Sequence, residues 1–393
     1  MSTHTTLSLP SGTIAHHWKP PGPSSPRAIL ILQHGFGEYA ERYATSHSQF
    51  IPRLLENNIE VWALDLQGHG QSPGIRGVVD VHGAVKDHAW LVGFIASGAG
   101  ESTETTEAAP SVDESRIKPL TPPILLFGHS LGGLVTAGSA TALLTASQST
   151  NNRNPIPFPT PRITGLILTG PILPFPNVNP NSIQSLLSLL ASLLLRLIAF
   201  FFPHREVPSL PGSNPPPADT LRGDDEAVQL AEEDEMLFRG GISWTVAASA
   251  VGVVSGVWRG IRSGLWARNG DNGDGSDNAV NVLVLHGRWD PWSDWRGSLS
   301  FVEGIQRSRT RTARANVGVP GTKNSEEGAS GESPDSGAKL VLLDTPYHEL
   351  LNAGGSVGEE ALRVLLEWVE ARIADGCASP NLGAACEPPR AGQ

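Results

Sequence analysis

The segment Gly128-His-Ser-Leu-Gly132 sets a serine between two glycines, directly after the apolar run Ile124-Leu-Leu-Phe127 and before the small-residue stretch Gly133-Leu-Val-Thr-Ala137. A serine on a tight strand-to-helix turn has its hydroxyl projected from the sheet edge, where it can act as a nucleophile. The turn is too tight for side chains at 128 or 132. The hydroxyl needs a base to take its proton, and the base needs a group to orient it, in the chain order Ser, then Asp or Glu, then His. Downstream of Ser130 stand His204, His286 and His348. His348, in Asp344-Thr-Pro-Tyr-His-Glu-Leu just past the last apolar run, is the expected base, because a loop histidine there reaches the carboxyl edge of a sheet. His286 ends a strand and is expected to point into the sheet, and His204 lies beyond an apolar helix. The acid is expected one strand earlier, at Asp290, with Asp294 next in line and Asp344 read as a turn cap. Trp289, Pro291 and Trp292 are expected to shield the Asp290 carboxylate from water.

Attack by a serine on an acyl carbon also requires donors for the developing oxyanion. Gln33-His-Gly-Phe-Gly37 follows another apolar run, and its two glycines let the backbone turn so that the Phe36 N–H faces the site. The second donor is the N–H of Leu131, immediately after the nucleophile. This chemistry needs neither a metal nor an organic cofactor, and no His/Cys cluster has metal-ligand spacing in the sequence.

The elements that must hold these groups read as short apolar runs alternating with helix-length segments, the pattern of an α/β protein. Strands are predicted at Thr13–Lys19, Arg27–Gln33, Glu60–Asp65, Pro123–Gly128, Ile163–Thr169, Val282–His286 and Lys339–Asp344. Several are continuous Val/Ile/Leu runs, as in strands buried on both faces, so the sheet is expected to be mostly parallel and flanked by helices. The 43 Gly and 32 Pro among 393 residues concentrate in polar insertions at Ser97–Pro122, Gln148–Pro161, Ser209–Asp219, Asn269–Asn278 and Arg307–Gly337, whose composition predicts disorder. Arg307, Arg309, Arg311 and Arg314 read as a solvated helix end.

Ile183–Phe202 is dominated by Leu, Ile and Phe and is near bilayer-spanning length. Gln184, Ser188, Ser192 and Arg196 recur every four residues and draw one polar stripe along a helix, with Asn181 or Ser182 as its cap and Pro203 as its stop. A spanning helix would bury Arg196 in hydrocarbon. A lid or interfacial helix is the expectation, with a core helix and a true span as alternatives. A net charge of −11 argues against a nucleic-acid partner. The start, Met1–Pro10, lacks the features of a secretory signal, so a cytoplasmic or membrane-surface location is expected. Cys377 and Cys386 rule out a disulfide framework and fit one local bridge or two free thiols equally.

His34-Gly-Phe-Gly-Glu-Tyr-Ala-Glu-Arg-Tyr43, Asp65-Leu-Gln-Gly-His-Gly-Gln-Ser72, Gly128-His-Ser-Leu-Gly-Gly133, Leu285-His-Gly-Arg-Trp-Asp290 and Tyr347-His348 together resemble the α/β-hydrolase superfamily and, within it, the monoacylglycerol lipase family. The Gly-Phe-Gly-Glu-Tyr spelling looks most like fungal members, and the resemblance runs from Ser11 to Ala374. It implies an α/β-hydrolase fold with a helical cap inserted after Thr169-Gly-Pro171. The chain would divide into a first core part (1–171), a cap (172–270), a second core part (271–374) and a flexible tail (375–393). The implied activity is hydrolysis of monoacylglycerol to glycerol and fatty acid, with Ser130, Asp290 and His348 catalytic and the cap helix docking on membranes or lipid droplets. Glu38 and Arg42 would lie near the polar glycerol end, with a surface ion pair as the plain alternative. His69, in the Gly68-His-Gly70 turn, would be structural. The family's lid tyrosine and Asp-Pro pair are missing from Leu230-Ala-Glu-Glu-Asp-Glu235.

Other readings use the same residues. A short-chain esterase, a lysophospholipase or an acyltransferase would share the machinery. A non-catalytic lipid-binding protein of the same fold is the alternative from another class.

Overall fold

The computed structural model describes residues 2–45, 47–98, 122–148, 157–158, 161, 163–174, 183–208, 222–267, 279–316 and 337–377. Most of the predicted insertions, the caps Asn181 and Ser182, and Cys386 lie outside these residues, as do the side chains of Gln184, Ser185, Ser188, Arg314 and Cys377.

Among the described residues, eight strands form one sheet: β1 (Thr3–Ser8), β2 (Ile14–Lys19), β3 (Ala28–Gln33), β4 (Ile59–Leu64), β5 (Ile124–His129), β6 (Ile163–Thr169), β7 (Asn281–Gly287) and β8 (Ala338–Leu343). Their order is β1-β2-β4-β3-β5-β6-β7-β8. The β1/β2 and β2/β4 pairs are antiparallel and the rest are parallel. The seven predicted strands are all present. β1 was not predicted, because its alternating Thr-His-Thr-Thr-Leu-Ser run is polar on both faces and its strand character comes from pairing with β2.

The continuous apolar runs are explained by burial on both faces. Ile29, Ile31, Leu126, Leu166, Leu168, Val282 and Val284 face one core, and Leu30, Leu32, Leu125, Phe127, Ile167, Leu283 and Leu285 face the other. The first core is closed by α2 (Val81–Ala96), α3 (Leu131–Ser147), α6 (Trp244–Arg262) and α7 (Trp295–Asn316). The second is closed by α1 (Phe50–Glu56), the short 3-10 turn Ala40–Ala44 and α8 (Gly355–Cys377). α7 continues past the predicted break at Arg307. Arg307 pairs with Glu303 at 3.0 Å, Arg309 donates to the Val280 carbonyl at 2.6 Å, and Ser308 is buried.

Between β6 and β7 the inserted region carries α4 (Ile183–Phe201), α5 (Asp225–Glu233) and α6. Leu190, Leu193, Leu194, Leu197, Phe200 and Phe201 on α4 are all exposed. No helix among the described residues is long and apolar enough to cross a membrane. α6 behaves differently: Val246, Val253, Val257, Trp258 and Ile261 are buried in the first core, so its length is shared between the insertion and the main body. The segment following α5 lies over the loop after β3. Phe238 N–H donates to the Gly37 carbonyl at 2.9 Å, and the Tyr39 hydroxyl donates to Asp234 at 2.8 Å.

Candidate active site

β3 and β5 lie side by side, with Gln33 opposite Gly128, so the loops after both strands emerge together at the carboxyl edge. This is the point where strand order reverses, the usual position of an α/β site. The turn after β5 is as tight as the glycine spacing predicts. A Cβ on Gly128 would lie 2.5 Å from the Gly132 carbonyl oxygen, and one on Gly132 would lie 2.3 Å from the carbonyl oxygens of Gln33 and His34. Ser130 itself has φ 53° and ψ −119°, a conformation that costs of order 1–3 kcal/mol and persists only when its surroundings hold it. Its N–H donates to the Thr169 carbonyl at 2.9 Å, and its carbonyl accepts from Ile172 at 3.2 Å.

The Ser130 hydroxyl lies 2.8 Å from His348 Nε2, and His348 Nδ1 lies 2.6 Å from Asp290 Oδ2. The structure thus brings together the three side chains read as nucleophile, base and acid. Asp294 is exposed and pairs with Arg296, Asp344 accepts from the Trp289 indole, and His204 is exposed, so none of the three alternatives reaches the relay.

The Asp290 side chain is fully buried. Oδ1 accepts from the Trp292 and Ser293 N–H groups, and Oδ2 accepts from His348 and from the Ser293 hydroxyl at 2.8 Å. His286 Nε2 lies 3.3 Å from the same oxygen. Burial pushes this carboxyl up, but the hydrogen bonds from His286, His348 and the Trp292 N–H outweigh it and hold the group well below the usual carboxylate range. Ionised Asp290 takes the Nδ1–H of His348, which leaves the Nε2 lone pair facing Ser130. Trp289 and Trp292 do not perform the expected shielding. They are 65% and 42% exposed, and Asp290 is covered instead by His286, Ser293 and His348. The spacing Asp-x-x-Ser, a side chain closing its own turn, is the sequence signal that would have exposed Ser293.

Glu38 and Arg42 are not a surface pair. They are 3% and 8% exposed. Glu38 Oε2 accepts from the Gly35 N–H at 2.7 Å and the Tyr43 hydroxyl at 2.9 Å, and Oε1 accepts from Arg42 at 2.7 Å and Asn352 at 3.3 Å. Arg42 also bonds Glu349, the residue after the expected base. Burial pushes Glu38 up, and His129 and Arg42 beside it pull it down to about 2. Arg42 is the charge present at neutral pH, since burial holds His129 itself at about 4. Burial also raises Glu349, against the pull of Arg42 and with help from Glu38. The carboxylate of Glu38 therefore fixes the loop that carries Phe36, and that loop touches Ser130: a Cβ on Gly35 would lie 3.2 Å from the Ser130 Cβ. Leu131 opens α3, where the first N–H groups have no acceptor within the helix. The Phe36 ring packs edge-on against His69 and Phe238, and His69 is buried in that aromatic group.

A family model described as serine aminopeptidase, S33 (Hydrolase_4) matches residues 24–316. The chain belongs to this α/β-hydrolase family. It is similar to human monoglyceride lipase, 25% identical over 304 residues that cover 77% of each chain. The mouse monoglyceride lipase is 26% identical over 95% of this chain and 89% of its own. Among solved structures, it resembles the monoacylglycerol lipase of Paleococcus ferrophilus, with TM-score 0.54 and 20% identity over 95% and 99% of the two chains. It also resembles a soluble variant of the Saccharomyces cerevisiae monoglyceride lipase, with TM-score 0.57 and 16% identity over 95% of each. These likenesses establish the mostly parallel, helix-flanked fold with its insertion between β6 and β7. With the family, they make the protein a serine hydrolase of the monoglyceride lipase and esterase group.

Proposed function

We propose that the protein hydrolyses long-chain monoacylglycerols through an acyl-enzyme on Ser130. The observation that carries the reading is the unbroken relay from Ser130 Oγ to His348 to Asp290, at 2.8 and 2.6 Å, in a chain whose insertion presents an apolar helix. His348 takes the Ser130 proton as the oxygen attacks the ester carbonyl, and Asp290 stabilises the imidazolium. The Phe36 and Leu131 amides receive the oxyanion. His348 then protonates the departing glycerol and later activates the water that releases the fatty acid. Glu38 and Arg42 act by holding the Phe36 loop in place.

Ser130 is 8% exposed and His348 4%, and on this reading the inserted region moves to admit the substrate. The exposed Leu and Phe face of α4 suits docking on a membrane or lipid droplet, since each methylene it buries contributes about 0.8 kcal/mol. On this reading the cap spans 172–270, with α6 as its anchored end.

The test is product release by wild type and Ser130→Ala: the carboxylic acid from a long-chain monoacylglycerol, a short soluble ester and a long-chain lysophospholipid, and the free amino acid from an N-terminally free peptide. Ser130-dependent turnover favouring the monoacylglycerol is expected. Turnover of the short ester alone keeps the mechanism and discards the lipase. Preference for the lysophospholipid or the peptide replaces the substrate class, and acyl transfer to an added alcohol identifies a transferase.

A further inference from the structure

We infer that His4, His16 and Glu41 form a binding site for a divalent transition cation such as Zn²⁺ at the antiparallel edge of the sheet. The donor atoms of the three residues all lie within 4.8 Å of one another. They belong to β1, β2 and the 3-10 turn Ala40–Ala44, so only the folded chain assembles them.

His4 and His16 are diagonal neighbours on one face of the β1/β2 ladder, since His4 pairs with Trp18 and Thr6 with His16. The His4 ring lies flat on Trp18, with centroids 4.5 Å apart and planes 3° apart, which fixes its orientation. His4 Nε2 and His16 Nδ1 then face each other at 3.1 Å. His16 is fully buried, and its Nε2 lies 3.0 Å from Asp65 Oδ2. Asp65 also accepts from the Ala40 N–H at 2.8 Å and from the Gln71 N–H at 2.7 Å, so it is an acceptor throughout. It therefore accepts the Nε2–H of His16 and leaves a bare lone pair on Nδ1. A carboxylate behind an imidazole is the outer-shell partner that metal-bound histidines almost always have, and it raises ligand basicity.

Two nitrogens this close share either one proton or one cation. A zinc–nitrogen distance of about 2.0–2.1 Å across that gap gives an N–Zn–N angle of about 100°, close to tetrahedral. Binding requires that His4 carry its own proton on Nδ1 and that the two rings, whose centroids lie 5.3 Å apart, turn so that both lone pairs converge on the cation. Glu41 supplies the oxygen. Its Oε2 accepts from Gln71 at 3.0 Å, and Oε1 stands 3.9 Å from His4 Nδ1, beyond hydrogen-bonding range. That half-buried carboxylate swings toward the Nε2 side of His4 to reach the cation. Water completes the fourth position, and two imidazoles with one carboxylate suit zinc, copper or nickel better than calcium or magnesium.

A bound cation would tie the edge strand β1 to the 3-10 turn that directly follows the loop Gly35–Tyr39. The test uses the untagged full chain, stripped with chelator and titrated with Zn²⁺ by calorimetry. One equivalent at a micromolar Kd is expected, with Tm raised by about 3 °C or more at a hundredfold excess over Kd. His4→Ala and Glu41→Gln should each weaken binding at least tenfold, while Ser130→Ala leaves it unchanged. Each variant's Tm without zinc checks that its fold is intact, and loss of the Co²⁺ visible bands in His4→Ala reads the ligand directly. Absence of saturable one-equivalent binding in wild type, or unchanged affinity in either variant, overturns the site.

Discussion

Ser130 and His348 are 218 residues apart in the chain, and their 2.8 Å contact depends on one tautomer. Asp290 sets that tautomer because it stays ionised with its side chain wholly buried. Asp290→Asn preserves the shape but offers an amide N–H where His348 needs an acceptor. A fall of about 10⁴-fold in kcat is expected, with little change in KM. Ser130→Ala should lose at least as much and should also abolish labelling by a fluorophosphonate. Glu38→Gln tests a different role. It keeps the volume but removes the charge beside Arg42 and weakens the acceptor of the Gly35 N–H. Arg42 keeps Glu349 as its partner, so stability should fall by about 1.5–3 kcal/mol in urea titrations, the worth of a hydrogen bond to a charged group. In the fraction that remains folded, kcat should drop about tenfold or more while KM holds, as for a loosened oxyanion donor. A KM increase with unchanged kcat would instead place Glu38 against the substrate.

At the scale of elements, two helices of equal length in the insertion behave oppositely. α6 inserts its apolar face into the core between α2, α3 and α7, so its mutation is a stability question. α4 leaves its apolar face outside, with Phe200 78% exposed. The triple variant Leu193→Gln, Leu197→Gln, Phe200→Ser removes apolar surface that no core residue covers. Its Tm and its turnover of a short soluble ester should stay near wild type, while sedimentation with phospholipid vesicles falls tenfold or more. A large Tm loss would show that these three side chains are packed after all. The segment Asp234–Phe238 joins the two regimes, because its bonds to Gly37 and Tyr39 lay the insertion directly on the loop that carries Phe36.

Across the whole molecule, burial leaves several histidines uncharged. Burial holds His88 at about 3; burial together with the neighbouring His34 holds His69 at about 4, and His129 also sits at about 4 against an ordinary 6.5. Between pH 6.5 and 4 the unfolded chain takes up protons that the folded chain does not. Stability therefore falls as pH drops through that window, by up to about 1.4 kcal/mol per pH unit for each group, and is fully present above it. Asp290 and Glu38 act lower down, since their depressed pKa values remove further stability only as pH falls below about 4. Urea titrations from pH 7.5 to 4.5 should show a steady decline. The double variant His88→Leu, Ser139→Ala, which removes both members of one buried polar pair, should make that decline shallower.

Local chemistry made much of this legible in the sequence. Apolar runs announce strands buried on two faces, and Gly128 and Gly132 announce a turn that admits no side chain. The last apolar runs, β7 and β8, locate Asp290 and His348 just past their carboxyl ends. Each of these signals lies within a few residues of what it specifies. What depends on burial or on distant partners was decided by the tertiary structure. Glu38 and Arg42 can be read as a surface ion pair until Tyr43, Glu349 and Asn352 close around them. His286 reads as a sheet residue until Ser293 folds back and aligns both on Asp290. β1 has no apolar pattern and exists as a strand because β2 is there to pair with it. That pairing brings His4 to His16, so two histidines twelve residues apart come to face each other across 3.1 Å. A chain can encode such a meeting only through the register of a ladder, which no local window contains.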